Sequence, residues 1–286
     1  MKRILIRIGV CLLVLALVLG TGAWIYFGHG DWLFSIERSF TKHEPLAWTS
    51  LIHTGEVKHW ELEELMRNNR VAFQNSLMLV NATHPLPEGY EATLAEYNGA
   101  RMHPDMIEWY IALRDAVQEK TGIRIYVSSD FRTSEEQAEI LASSESGIAA
   151  QIGCSEHEAG LALDVYAPYY AGEAFLKSPA GREVNRVCGE YGYILRYPAD
   201  KTQITGISYE PWHLRYVGAP HAKLMMDSGL TLEEYIEEME LGEWYRVDGY
   251  LIGRCAADAL DFPTGWFSCE ISPDNCGNYI VTLQMR

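Results

Sequence analysis

The sequence predicts an α+β fold: a mainly antiparallel sheet with helices packed on it, an N-terminal transmembrane helix before it and a small β-rich appendage after it. Three observations point there. Segments of strand and helix character are interspersed without the regular strand–helix–strand repeat of a parallel sheet. A charge-free apolar run stands near the N-terminus. From about Gly242 the chain turns to β-rich stretches, Gly/Pro/Asp turns and the cysteines Cys255, Cys269 and Cys276.

Residues 1–27 are expected to be a membrane anchor. Lys2, Arg3 and Arg7 precede an uncharged stretch from Ile8 to Phe27. A run of roughly twenty apolar residues can cross a bilayer as a helix. The basic flank places the N-terminus inside and the rest of the chain outside, and Trp24-Ile25-Tyr26-Phe27 suits an interfacial aromatic belt. Thr21-Gly22-Ala23 offers the alternative of a cleaved signal peptide. Either way the main domain is exported.

Residues 28–75 read as a stalk, with scattered aromatics, Glu44-Pro45 and one short helical pattern from Trp60 to Met66. Residues 76–240 read as the main domain. Ser76 to Asn81 is expected as a strand, and His84-Pro85-Leu86-Pro87 as a rigid turn or extended segment. Pro104 to Lys120 predicts a helix: proline near its start, Met106, Ile107, Tyr110, Leu113 and Val117 at helical spacing, and Gly122 closing it. A strand over Ile123–Val127, a helix from Ser134 through Leu141, a strand over Leu161–Tyr166, a helix over Ala180–Glu190 and strands over Tyr193–Tyr197 and Glu210–Tyr216 follow. Thr231 starts an acidic helix, with Glu234 completing a capping box. Residues 241–286 form the appendage, with a turn at Ser272-Pro273-Asp274-Asn275.

Composition limits the partners. With 48% apolar residues the chain can build a core, and 23 Lys and Arg against 39 Asp and Glu leave a net charge of −16. So acidic a chain argues against nucleic-acid binding, which needs basic patches. Apart from Cys11, Cys154, Cys188, Cys255, Cys269 and Cys276 would meet an oxidising compartment that permits disulfides. Their number is odd, so at least one is left over or pairs between chains.

Chemistry concentrates in Ser128–Thr133, Ser155–Asp164 and Glu210–His213. Two imidazoles, His157 and His213, with the Asp164 carboxylate make a zinc shell with a fourth position for water. Glu210, three residues before His213, can reach the same volume as general base. Each residue has a plainer role when taken alone. A single histidine is more often an ordinary hydrogen-bonded side chain, an aspartate after an apolar strand is often a turn residue, and an ExxH pair arises by chance. The three stretches together, in this order, favour metal-assisted peptide hydrolysis.

At these residues the sequence resembles the VanY-type D-alanyl-D-alanine carboxypeptidases, relatives of the zinc D,D-peptidases and of the hedgehog fold. That family carries SxHxxGxAxD followed by ExWH, and SEHEAGLALD and EPWH match every fixed position. The match extends through Leu79-Val80-Asn81, His84–Pro87, Ser129–Gln137, Tyr191–Pro198 and Glu210–Gly218, ending near Tyr235. The resemblance implies a single zinc held by His157, Asp164 and His213, Glu210 as catalytic base, and Arg132 holding substrate or the developing oxyanion. It implies substrate contacts for Gln137 and Ser155. Both also sit in Ser-x-x-Glu/Gln patterns that serve helix capping. Trp212 either walls the site or packs in the core. Asp130 and Phe131 depart from the family's usual Gly and Tyr, which puts details of substrate preference in question. Cys154 either competes for zinc as a thiolate or braces the site as a disulfide partner, with Cys188 as one candidate.

The function so implied is zinc-dependent release of the terminal D-alanine from peptidoglycan stem peptides outside the cell. An L,D-carboxypeptidase acting on tetrapeptide stems and an inactive wall-binding module remain as alternatives.

Overall fold

The computed structural model describes residues 14–15, 17–21, 30–46, 48–51, 57–143 and 149–285. Most of the apolar run from Ile8 to Phe27 lies outside them. Among the described residues no helix is long and apolar enough to cross a membrane.

Three short strands come first: β1 (Thr49–Leu51), β2 (Val57–His59) and β3 (Val71–Phe73). A hairpin of β4 (Ala95–Tyr97) and β5 (Ala100–Met102) leads into a helix over Pro104–Thr121. His103 caps that helix by accepting from the Asp105 N–H, Pro104 occupies its first turn, and Gly122 ends it in the left-handed conformation at φ 73°. These are the stop and start signals the sequence carries.

The half of the chain before Gly218 is built on a four-stranded antiparallel sheet in the order β6-β7-β9-β8: β6 (Tyr126–Ser129), β7 (Ala162–Tyr166), β8 (Tyr193–Leu195) and β9 (His213–Tyr216). Side chains alternate across a strand. Leu163 and Val165 of β7 and Leu214 and Tyr216 of β9 therefore face one way. They pack on Met106, Tyr110, Leu113 and Val117 of the Pro104–Thr121 helix, the first helix packed on this sheet, and on Val184 of a helix over Pro179–Val187. Each such fully buried side chain contributes about 2 kcal/mol of hydrophobic free energy. The alternate positions, Asp164 and His213, are left for the opposite face.

Five strands close the chain: β10 (Trp244–Val247), β11 (Tyr250–Ala256), β12 (Asp261–Pro263), β13 (Trp266–Pro273) and β14 (Asn278–Met285). They do not form an isolated appendage. The order of the large sheet is β1-β10-β11-β14-β13-β3, and β12 pairs with β2. Thus β1 to β3, drawn from the stretch read as a stalk, complete the C-terminal sheets. The helix Gly30–Phe40 also docks, with Phe34 buried under the Arg186 guanidinium and Glu37 2.6 Å from Arg186 Nη2. Short helices over His221–Ser228 and Leu232–Glu237 lie between the two sheets. Their Ala222, Met225, Tyr235 and Ile236 pack with Ile194 on one side and Ile252 and Ile280 on the other.

Four strand expectations are corrected, two of them only in length: the strand expected over Glu210–Tyr216 starts at His213 and that over Tyr193–Tyr197 ends at Leu195. Ser76–Asn81 is not a strand, although Leu77, Met78, Leu79 and Val80 are all buried. Other groups take its backbone hydrogen bonds. Leu77 N donates to Ser272 Oγ, Leu79 N donates to the Asp274 carbonyl, and the carbonyls of Ser76 and Met78 accept from Arg215 Nη2. The strand expected over Ile123–Val127 starts later, at Tyr126. The Thr231–Glu234 capping box forms as expected. The turn expected at Ser272–Asn275 falls later, over residues 274–277, because Ser272 and Pro273 still belong to β13; there Asn275 adopts φ 60° and its Nδ2 donates to the Leu79, His84 and Pro85 carbonyls.

Candidate active site

The register of β7 and β9 places Asp164 directly opposite His213. Residues 49 apart in sequence thereby share one patch of the sheet, with Asp164 Oδ1 3.1 Å from His213 Nδ1. His157 arrives from the turn before β7. Gly160 shapes that turn at φ +72°, its N–H donating to the His157 carbonyl, and a Cβ there would meet Leu94 at 2.9 Å. His157 Nδ1 donates to the Asp130 carbonyl at 2.7 Å, which fixes the tautomer and turns Nε2 towards Asp164 Oδ1, 3.4 Å away.

One ligand atom from each of His157, Asp164 and His213 falls within 4.8 Å of the others. Two neutral imidazole nitrogens and one carboxylate oxygen suit zinc with an open coordination position. The surroundings fit too, because each histidine engages an acceptor through its far nitrogen, as metal-bound histidines do. For His157 this is the Asp130 carbonyl, and for His213 it is the Glu156 carboxylate at 3.3 Å.

Glu210 lies in a turn closed by the His213 N–H donating to its carbonyl, and its Oε2 is 3.8 Å from His213 Nδ1. Arg132 reaches in from the segment after β6. Its Nη1 donates to Gln137 Oε1 and its Nη2 to Ser129 Oγ, each at 3.0 Å, and Nη2 stands 3.7 Å from Asp164 Oδ2. The pocket over these groups holds about 180 Å³ and is also walled by Ser155, Tyr197 and Trp212.

Burial and charge set the proton affinities. Burial raises Glu210 above its ordinary carboxylate value. Burial also works against an ionised Asp164, but His157 and His213 outweigh it and hold Asp164 well below its usual value. Burial lowers His157. For His213 burial is overcome by its bonds to Asp164 and Glu156, which push it to about 9 in the metal-free protein, so that zinc would displace the proton on Nδ1.

A sequence model described as VanY, D-alanyl-D-alanine carboxypeptidase, matches residues 99–219. A D-alanyl-D-alanine carboxypeptidase of Enterococcus faecium is 30% identical over 291 aligned positions, covering 91% of this chain and 92% of the relative. The chain belongs to the VanY family. Among solved structures, a point mutant of the vancomycin resistance D,D-pentapeptidase VanY, in complex with Zn(II), is 35% identical, with TM-score 0.50, covering 56% of this chain and 98% of its own. The D,D-dipeptidase VanXYg, in complex with a D-Ala-D-Ala phosphinate analogue, aligns with TM-score 0.64 at 26% identity, over 80% of this chain and 98% of its own. Family and donor set together make this VanY-family chain a zinc peptidase.

The structure also shows what sequence reasoning missed. Glu156 is buried behind His213, and its Oε1 accepts from Arg196 Nε at 2.7 Å and Arg215 Nη1 at 2.8 Å. Arg196 in turn holds both oxygens of Glu233, at 2.8 and 2.6 Å. Burial disfavours the Glu156 anion, but the two guanidiniums outweigh it and keep it ionised. The signal was present as Arg196 and Arg215, charged residues next to or within short apolar strands. Glu156 itself was hidden inside an apparent capping pattern.

The other predicted residues fall as follows. Gln137 is buried at the pocket wall, braces Arg132 and donates from Nε2 to the Ala150 carbonyl. It caps nothing; the capping exchange runs between Thr133 and Glu136 instead. Ser155 lines the pocket, and Glu158, its expected capping partner, binds Ser134 Oγ and the Gly153 N–H. Trp212 both lines the pocket and packs on the core. Asp130 accepts from the Arg101 N–H, and Phe131 lies under the Arg101 guanidinium. Cys154 and Cys188 are free thiols, as are Cys255, Cys269 and Cys276. Burial raises Cys154, which keeps it protonated rather than a competing thiolate.

Proposed function

We propose that this zinc peptidase removes the terminal D-alanine from peptidoglycan pentapeptide stems, and that it acts outside the cell, held to the membrane by its N-terminal segment. One observation carries the hydrolytic reading. His157, Asp164 and His213 converge with Glu210 3.8 Å from the metal-facing nitrogen of His213. The name of the Enterococcus faecium relative supports the D-alanyl-D-alanine bond as substrate. Export is supported by the Lys2, Arg3 and Arg7 flank and the uncharged run after it.

Zinc held by His157, Asp164 and His213 would lower the pKa of a water and polarise the scissile carbonyl. Glu210 is placed to take the proton of the attacking water and return it to the leaving amine of D-alanine. Arg132, fixed by Gln137 and Ser129, offers a preorganised positive charge to the developing oxyanion or to the terminal carboxylate. Ser155 and Ala150 also line this pocket, whose small volume of about 180 Å³ suits a short C-terminal residue.

The test is D-alanine release from matched pentapeptide and tetrapeptide stems. Faster release from the pentapeptide upholds the D,D reading. Preference for the tetrapeptide assigns the chain to L,D chemistry, and release from neither overturns the carboxypeptidase reading.

A further inference from the structure

A second cavity, of about 490 Å³, lies along the outer edge of the catalytic sheet. It is enclosed by the hairpin turn Tyr97–Ala100, the Tyr110 and Arg114 side of the first helix, and β6, the edge strand. A run of shared lining residues links it to the zinc pocket. Arg132 and Ile140 border both the zinc pocket and a shallow depression over Phe131, while Ser128, Ser129 and Asp130 border both that depression and the edge cavity. Ser129 pairs with Asp164, and Tyr126 pairs with Tyr166. The cavity therefore runs about 10 Å along the strand, starting beside the residue paired with Asp164. An extended peptide covers that span with about three residues.

The lining has a definite chemistry. Tyr97, Tyr110, Tyr126 and Tyr166 supply aromatic surface, and Arg114 and Arg124 supply positive charge. Arg114 is already engaged: Nε donates to Asp115 Oδ1 at 2.7 Å and Nη1 to the Tyr97 hydroxyl at 2.5 Å. Arg124 is not. Its Nε is buried and has no hydrogen-bond partner among the described residues, and its guanidinium stands 6.0 Å from the Tyr126 ring. The residue as a whole is only partly buried and lines the cavity, so its guanidinium offers charged donors to an acceptor there. The acidic side chain at the rim, Asp130, is turned to the Arg101 N–H and lies 3.9 Å from Arg101 Nε.

We propose that this edge cavity holds the stem peptide upstream of the scissile bond, with Arg124 binding a carboxylate there and Tyr126 supplying the platform beside it. The inference rests on the function proposed above and names a specificity element for it. Binding energy gathered this far from the reacting bond raises kcat/KM only for substrates long enough to reach it.

The experiment uses three peptides ending in D-Ala-D-Ala: an N-acetylated tripeptide, a pentapeptide with a free carboxylate on its second residue, and the same pentapeptide with that carboxylate amidated. Wild type should favour the free carboxylate over both others by about tenfold in kcat/KM, the worth of one charged hydrogen bond at a partly solvated site. Arg124→Gln should abolish that preference, leave the tripeptide rate unchanged and keep zinc content and melting temperature at wild-type values. Tyr126→Ala should weaken both pentapeptides together. Equal rates of wild type on the free and amidated pentapeptides, or an Arg124→Gln loss shared by the tripeptide, overturns the inference. If no peptide is hydrolysed, the proposed function fails on its own. Equilibrium binding of the three peptides to Glu210→Gln then still decides the cavity: tighter binding of the free carboxylate that disappears with Arg124→Gln upholds it, and equal binding refutes it.

Discussion

Glu156 stands directly behind His213, its Oε2 3.3 Å from Nε2, while Nδ1 of the same ring faces Asp164 at 3.1 Å. Because a carboxylate only accepts, Glu156 holds the proton on Nε2 and leaves the Nδ1 lone pair for metal. Arg196 and Arg215 lock Glu156 itself. Glu156→Gln should therefore weaken zinc affinity about 10- to 100-fold, the usual cost of removing a partner of a metal-bound histidine. It should also destabilise the fold by about 3 kcal/mol, since buried Arg215 loses its counter-charge and Arg196 is left with Glu233 alone. Competition with a chromophoric chelator and denaturant unfolding measure the two effects. Unchanged zinc affinity would remove Glu156 from the metal site.

Glu210 is set apart from the ligand set by geometry. Its Oε2 lies 3.8 Å from His213 Nδ1, outside the cluster of three ligand atoms. Glu210→Gln should lower kcat by about 10²- to 10⁴-fold, as loss of a general base does, while zinc stays at one per chain. Loss of zinc with loss of activity would make Glu210 a ligand instead.

His221 ties the two halves of the molecule together. Its Nδ1 is 2.8 Å from the Tyr235 hydroxyl and its Nε2 2.8 Å from Thr282 Oγ1 on β14. Burial depresses it to about 3, against 6.5 in the unfolded chain. Between those values the unfolded state binds the proton and the folded state does not. This contribution to stability is therefore intact above pH 6.5 and lost as pH falls towards 3, on the order of a few kcal/mol over the window. Urea unfolding at about pH 7 and about pH 4.5, on either side of the upper limit of that window, should show a larger drop for wild type than for His221→Gln. Equal drops would contradict the assignment.

Asn275 anchors the β13–β14 turn on the catalytic half through three carbonyls, from a left-handed backbone. Asn275→Ala should cost about 1 to 3 kcal/mol by thermal or urea unfolding, because carbonyl acceptors lose their donor and alanine resists positive φ. A variant as stable as wild type would show that the turn does not brace this junction.

The site was more legible than the frame around it. The convergence of His157, Asp164, His213 and Glu210 on one place could be read because donors of these types recur at a spacing that one turn and one strand pair can close. The first helix announced itself through its period, its proline and Gly122. The role of residues 28–75 stayed hidden because β1, β2 and β3 have three residues each, too short for any alternation to show. Ser76–Asn81 misled for a different reason. It is apolar and buried like a strand, but side chains of Ser272 and Arg215 satisfy its backbone, and no local pattern encodes that. Glu156 was missed because its partners, Arg196 and Arg215, lie 40 and 59 residues away.

The hydrolytic role of the zinc centre is decided by D-alanine release from a pentapeptide stem, using the metal-stripped protein titrated with zinc. No release is expected without metal. Full activity should return at one zinc per chain, and His213→Ala should fail to recover. Release that persists in the metal-free protein, or zinc-restored activity in His213→Ala, would contradict a zinc mechanism at this site.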